Sequence, residues 1–246
     1  MGLRPGSSAP GAFVRGVTGL LLVLLAACAT KVSMYVLIRF DFFVFQGNLA
    51  GHAVQFAAYL MPLAILGILV GSSVAMFERN IKRMLAYSTI SHVGFIFLGL
   101  LSGTDEGYGA AMFYAIVYAL MAAGGFGVLT MISHKGLDAE NIHDLKGLND
   151  RSPWLAFMMM LVLFSMAGVP PTVGFFAKLF VLDAVISVDM VWLAIVAVFF
   201  SIIGAFYYLR AVKVMYFDKP IDDAPLVSSM DTQVIVSING RVVSSE

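Results

Sequence analysis

Residues 154–187 read WLAFMMMLVLFSMAGVPPTVGFFAKLFVLDAVIS, from Trp154 to Ser187. A bilayer core of about 30 Å takes roughly 20 helical residues to cross, so this run is too long for one straight span. Pro170 and Pro171 remove two backbone donors and clash with the turn before them, so a helix must break there. Irregular backbone at membrane depth is tolerated only where protein or water satisfies the freed carbonyls. Lys178 follows the break, separated from Arg151 by 26 residues without a formal charge. Gly168, Pro170, Pro171 and Gly174 therefore mark a broken helix beside a buried cation, the arrangement of ion-coupling sites in transporters. A proline kink serving packing alone is the plainer reading; break and lysine occurring together favour a site.

The rest of the chain has the same character. Of its 246 residues 60% are apolar and 12% charged, with a mean hydropathy of +0.92. A soluble domain carries about a quarter charged residues, which excludes that class, and 20 Phe with 9 Tyr exclude a disordered chain. Fifteen basic and fifteen acidic residues cancel, leaving no electrostatic case for a nucleic-acid partner. The one cysteine, Cys28, forms no internal disulfide. Six charge-poor stretches are candidate spans: Val17 to Phe45, Phe56 to Phe77, Met84 to Leu101, Gly107 to Ile132, Trp154 to Ser187, and Met190 to about Tyr208. They lack the alternation of barrel strands, so the expected fold is an all-α polytopic bundle in a lipid bilayer, one of its helices broken.

Six spans put both termini on one side, with the loops after the second and fourth spans. That side holds Arg4, Arg15, Arg79, Lys82, Arg83, Lys135, Lys146, Arg151, Lys213, Lys219 and Arg241, with Arg210 at a helix end, and the opposite side only Arg39. The basic side is read as cytoplasmic. Residues 1–15 are then a cytoplasmic segment, 16–217 the transmembrane domain and 218–246 a polar cytoplasmic tail. Ser152-Pro153 reads as a helix cap with proline at the first helical position. Leu137, Ile142, Leu145 and Leu148 among charges suggest a short amphipathic helix over 136–150. Arg15, the run Val17 to Leu25 and Leu25-Ala26-Ala27-Cys28 resemble a bacterial lipoprotein signal, although the apolar stretch continues past Cys28 for long enough to span.

An ionisable group inside hydrocarbon is a functional hypothesis by default. Lys31 lies eight residues from Arg39 and sixteen from Arg15, about 12 Å from the nearer end and too deep to snorkel easily. His92 lies about 12 Å into the third span. Ser88 and Ser91 share its face at helical spacing, a serine–histidine stripe suited to proton relay. Tyr114 and Tyr118 could extend that polar path, or pack with satisfied hydroxyls. Gly124, Gly125 and Gly127 read as a close helix-packing surface. There is no dinucleotide or Walker motif and no metal-ligand spacing, so no catalytic, metal, NAD, flavin or iron–sulfur site is expected on this chain.

Asn80 to Phe95, NIKRMLAYSTISHVGF, resembles the signature of the antiporter-like subunits of proton-pumping NADH-quinone oxidoreductase, respiratory complex I. Leu145 to Trp154, Phe164 to Lys178 and Phe206 to Arg210 are similar to its subunit N in particular, so the likeness covers roughly Arg79 to Asp223. Ala12 to Phe77 looks more like the related D-type component of multisubunit cation/proton antiporters. The resemblance implies protonatable residues lining a hydrated axis, with Lys31 matching the lysine of the family's eighth helix and Lys178 that of its broken twelfth. His92 matches a polar position between them. It implies a proton-translocating subunit in a bacterial inner membrane, partnered by other membrane subunits, with NADH, FMN, iron–sulfur clusters and quinone held elsewhere in the complex. Against about fourteen helices in the family, the chain is expected to supply the eighth to the thirteenth. A sodium or potassium/proton antiporter subunit and a non-transporting membrane scaffold are the alternative functions.

Overall fold

A computed structural model describes residues 50–133 and 140–219, and those residues are all-helical. Seven helices follow in order: α1 Ala50–Phe77, α2 Ile81–Leu101, α3 Asp105–Ser133, α4 Leu148–Arg151, α5 Pro153–Ala167, α6 Val173–Ile186 and α7 Val191–Phe217. Four of them, α1, α2, α3 and α7, are long and apolar enough to cross a membrane. At 15 and 14 residues, α5 and α6 are each too short to cross alone and together make up one interrupted span. Five of the six expected spans thus lie among the described residues. The first span, Lys31, Cys28, Leu137 and the lipoprotein-like segment lie outside them.

The helices run past the charge-poor stretches: α2 begins at Ile81 and includes Lys82 and Arg83, and α7 continues through Arg210 and Lys213 to Phe217. Charged residues end a hydrophobic run without ending a helix, because the backbone ladder continues into the headgroup region. Asn80 begins α2 by accepting a hydrogen bond from the Arg83 amide at 3.0 Å, as an N-cap does. Thr104 does the same for Gly107 at the start of α3. Ser152 and Pro153 occupy the cap and first-turn positions of α5, but the serine hydroxyl makes no capping bond.

α2 is the central helix, 67% of its most apolar stretch buried against 33% of those of α1 and α7. It touches α1, α3 and α6, and α7 packs on α1 and α5. The α1–α2 contact is close because glycines meet backbone. A side chain on Gly71 would run into the Ser91 amide and the Tyr87 carbonyl, and one on Gly94 into Ala64 and Ile68. Small residues at such positions let helices approach in lipid, where water drives no association. The expected glycine surface on α3 does less: Gly125 meets Val162, Leu85 and Met166 at ordinary contact distances, and a Cβ on Gly127 would meet nothing within 4 Å. The outer face of α7 exposes Ile195, Phe199, Ile202 and Phe206, as a helix bordering lipid or another apolar surface does.

Over 140–151 the structure has two one-turn helices, the 3-10 turn Ile142–Leu145 and α4 Leu148–Arg151, in place of one continuous amphipathic helix. Gly147 separates them in the left-handed region at φ +61°. The loop is also stitched to the one before α2, the Ile81 amide donating to the Glu140 carbonyl and the Ile142 amide to the Arg79 carbonyl. These two bonds hold the backbone extended where a helix would have to start. Ile142, Leu145 and Leu148 are nevertheless buried, as their spacing suggests. Two of the basic loops assigned to one side therefore lie together.

Candidate functional site

α5 ends because Gly168 turns left-handed at φ +84°, its amide donating back to the carbonyls of Phe164 and Ser165. Val169 also donates to Phe164, and the two prolines that follow donate nothing. Thr172 closes the turn through its amide and its hydroxyl, both donated to the Val169 carbonyl, and α6 starts at Val173. The Gly174 amide donates to Ser165 Oγ at 3.1 Å, tying the second half-helix to the first.

The break leaves the Ala167 carbonyl to be satisfied, and Lys178 satisfies it. One turn into α6, Lys178 Nζ donates to that carbonyl at 2.8 Å and to Ser201 Oγ of α7 at 2.8 Å. A cation at a helix C-terminus is stabilised by the partial negative charge of the last carbonyls. The Phe95 ring of α2 faces Nζ, 5.5 Å from its centroid, within range of a cation–π contact. The lysine stem lies over Gly168, where a Cβ would come within 3.0 Å of Lys178 Cδ. These residues line a recess of about 310 Å³ between the half-helices and α7, with Phe95, Ala167, Pro170, Lys178, Val198 and Ser201 in its wall.

Deeper in the bundle, His92 of α2 is 4% exposed and bridges two other helices. Its Nδ1 is 2.8 Å from Tyr114 Oη of α3, and its Nε2 is 3.1 Å from Tyr208 Oη of α7. The ring stacks on Tyr118, centroids 4.3 Å apart. Tyr118 Oη lies 2.7 Å from Thr89 Oγ1. Ser88 donates to the Leu85 carbonyl at 2.7 Å and sits beside the Tyr118 and Tyr208 hydroxyls. Ser91 faces the other way, its hydroxyl 2.9 Å from Ser72 Oγ on α1. Ser88, His92, Tyr114 and Tyr118 are thus brought together and Ser91 is not, because successive residues on a helix point about 100° apart.

Two residues that sequence reasoning passed over join these clusters, Ser201 to Lys178 and Tyr208 to His92. Both are on α7, seven residues apart on one face. The signal was available, since Ser201 is the one hydroxyl-bearing residue in the run Val191 to Phe206. Arg210, placed at a helix end by the sequence, has its guanidinium donating to the Met76 and Glu78 carbonyls at 3.0 and 2.7 Å, capping the end of α1 from α7. Among the described residues no cluster of His, Cys, Asp or Glu could hold a metal.

Residues 9–204 match the family described as NADH:quinone oxidoreductase/Mrp antiporter, TM. The chain belongs to this antiporter-like family. It is 65% identical over 184 residues to NADH-quinone oxidoreductase subunit N of Thioalkalivibrio sulfidiphilus, covering 75% of this chain and 38% of that one. To subunit N of Herminiimonas arsenicoxydans it is 58% identical over 199 residues, 78% of this chain and 40% of the relative. The chain therefore spans about two-fifths of the length of the curated relatives it matches. Respiratory complex I from Thermus thermophilus contains a similar chain at 26% identity, TM-score 0.72, covering 82% of this chain and 42% of that one. A chain of the archaeal membrane-bound sulfane sulfur reductase shares the fold, with 24% identity, TM-score 0.83, and 92% and 45% covered. The family expected from residues 80–95, 145–154 and 164–178 is borne out, and so is the all-helical membrane fold.

Proposed function

We propose that this chain carries a proton-translocating part of the membrane arm of a bacterial NADH-quinone oxidoreductase, with Lys178 as a proton carrier and His92 as a relay. The observation that carries this reading is the Lys178 ammonium seated on a carbonyl freed by the helix break, with a hydroxyl beside it and a recess for water. An ammonium placed so can give up its proton and take it back, because neighbouring charge of like sign favours the amine and of opposite sign the ammonium. A rearrangement arriving from adjoining subunits supplies that charge.

His92 suits relay because each ring nitrogen faces a phenol that can donate or accept. The imidazole takes a proton at one nitrogen and returns one at the other. Lys31 is the further carrier proposed from its match to the family's eighth helix. The proposed partners are other membrane subunits of the complex and the lipid of the bacterial inner membrane, both termini on the cytoplasmic face. NADH, FMN, iron–sulfur clusters and quinone belong to other subunits, and redox chemistry takes place there.

The test is proton uptake into vesicles containing the assembled complex with Lys178→Ala. Protons moved per NADH oxidised are expected to fall while assembly stays normal; unchanged pumping overturns the role of Lys178. Sodium-dependent proton flux without flavin or iron–sulfur partners identifies a cation/proton antiporter subunit instead. Neutral or stabilising effects of Lys178→Leu identify a scaffold.

A further inference from the structure

The two clusters meet at one residue that can carry no proton. Phe95 is 2% exposed and sits one turn along α2 from His92. Its ring lies parallel to that of Tyr114, interplanar angle 4° and centroids 5.8 Å apart. The same ring faces Lys178 Nζ at 5.5 Å. Tyr114 in turn holds His92 Nδ1. Phe95 is therefore in contact with a group of each cluster, the amine of one and the phenol of the other. A benzene ring has no exchangeable hydrogen, and its face stabilises a cation without accepting its proton.

We infer that Phe95 is the barrier of the relay, a ring that holds the proton on Lys178 apart from the His92–Tyr114 pair until the ring turns or water passes it. The inference rests on the proton-relay reading above and adds a residue with no titratable group to it. Two features suit the ring to this task. It lines the recess that also holds Lys178, Ala167 and Ser201, so water entering there meets a ring with no polar atom. Its stacking partner Tyr114 is buried in the core, less than 2% exposed. Removing the ring joins these spaces, with Lys178 Nζ, Ser201 Oγ and Tyr114 Oη left to hold the water that fills the gap.

A barrier and a packing residue make different predictions for passive proton flow. The experiment uses vesicles containing the assembled complex, given a pH gradient and no NADH, and follows an internal pH dye. Phe95→Ala is expected to raise the leak several-fold over the unmodified complex, and Phe95→Ala with Lys178→Ala to return it to the original level. Phe95→Leu keeps most of the volume and covers the case in which the alanine variant does not assemble; its leak is expected to be smaller but still raised. An assembled Phe95→Ala or Phe95→Leu complex that leaks no more than the original overturns the inference. So does a leak that persists without Lys178, since it then bypasses the lysine. Pumping by Lys178→Ala alone is a separate measurement, so failure of the barrier is distinguishable from failure of the relay reading.

Discussion

Lys178 and His92 are both polar groups inside an apolar bundle, and they are accommodated in opposite ways. At Lys178 half of the accommodation is backbone: a carbonyl that the broken helix cannot use, supplemented by the Ser201 hydroxyl. At His92 the helix is unbroken and both partners are side chains, Tyr114 and Tyr208, from different helices. The first site depends on chain conformation and the second on hydroxyl groups. Substitutions that add no polar group at all can therefore destroy the first, and the loss of a few atoms damages the second.

The largest effect is expected at Gly174. A Cβ there would collide with the Ser165 carbonyl, a backbone group that cannot swing aside as a flexible side chain would. Gly174→Ala is expected to cost about 3 kcal/mol or more, the upper end of overpacking penalties, and to abolish assembly. Gly168→Ala is milder, since the left-handed conformation at φ +84° costs a side chain about 1–2 kcal/mol. Unfolding of the purified chain in detergent, followed by helical circular dichroism, ranks the two. Equal tolerance of both would mean that the half-helices are not tied as described.

His92→Leu comes next. It leaves the Tyr114 and Tyr208 hydroxyls buried without the imidazole, and a buried group deprived of its partner costs about 1–3 kcal/mol. An expected loss of about 2–3 kcal/mol, read in the same unfolding measurement, sets this site beside the glycine series. A leucine variant as stable as the original would show that the phenols find other partners and that the imidazole is not their hub.

The two sites also differed in how far they could be read from the sequence. The break was legible because each residue acts on its own neighbours: Gly168 ends a helix, Pro170 and Pro171 forbid its continuation, and Lys178 stands one turn into the next. The Lys178 acceptor is only 11 residues away. The partners of His92 are 22 and 116 residues away, and no local spacing brings Tyr208 to mind. The serine stripe misled for a geometric reason, since Ser91 is adjacent to His92 in sequence and turned toward α1 in space. The loop over 140–151 misled because its apolar spacing is helical, while Gly147 and two bonds to the preceding loop hold it otherwise. Spacing reports which residues are buried more faithfully than it reports the backbone that buries them.

The smallest effects give the sharpest test of whether these are two sites or one. Ser201→Ala removes one hydroxyl from Lys178, and Tyr208→Phe removes one from His92. Each is expected to cost about 1 kcal/mol, the usual worth of one hydrogen bond. Seven residues apart on α7, the two positions are separated by roughly 10 Å along the axis, far enough for independent effects to add. The double variant is expected to lose the sum of the single losses within about 0.5 kcal/mol. Ser201→Ala introduced after Lys178→Met is expected to cost much less than when introduced alone, because its partner is gone. A coupling between Ser201 and Tyr208 as large as that between Ser201 and Lys178 would mean that polar contact already runs past the Phe95 ring in the resting state. The contrast between a site made by the backbone and a site made by side chains would then dissolve into a single connected network.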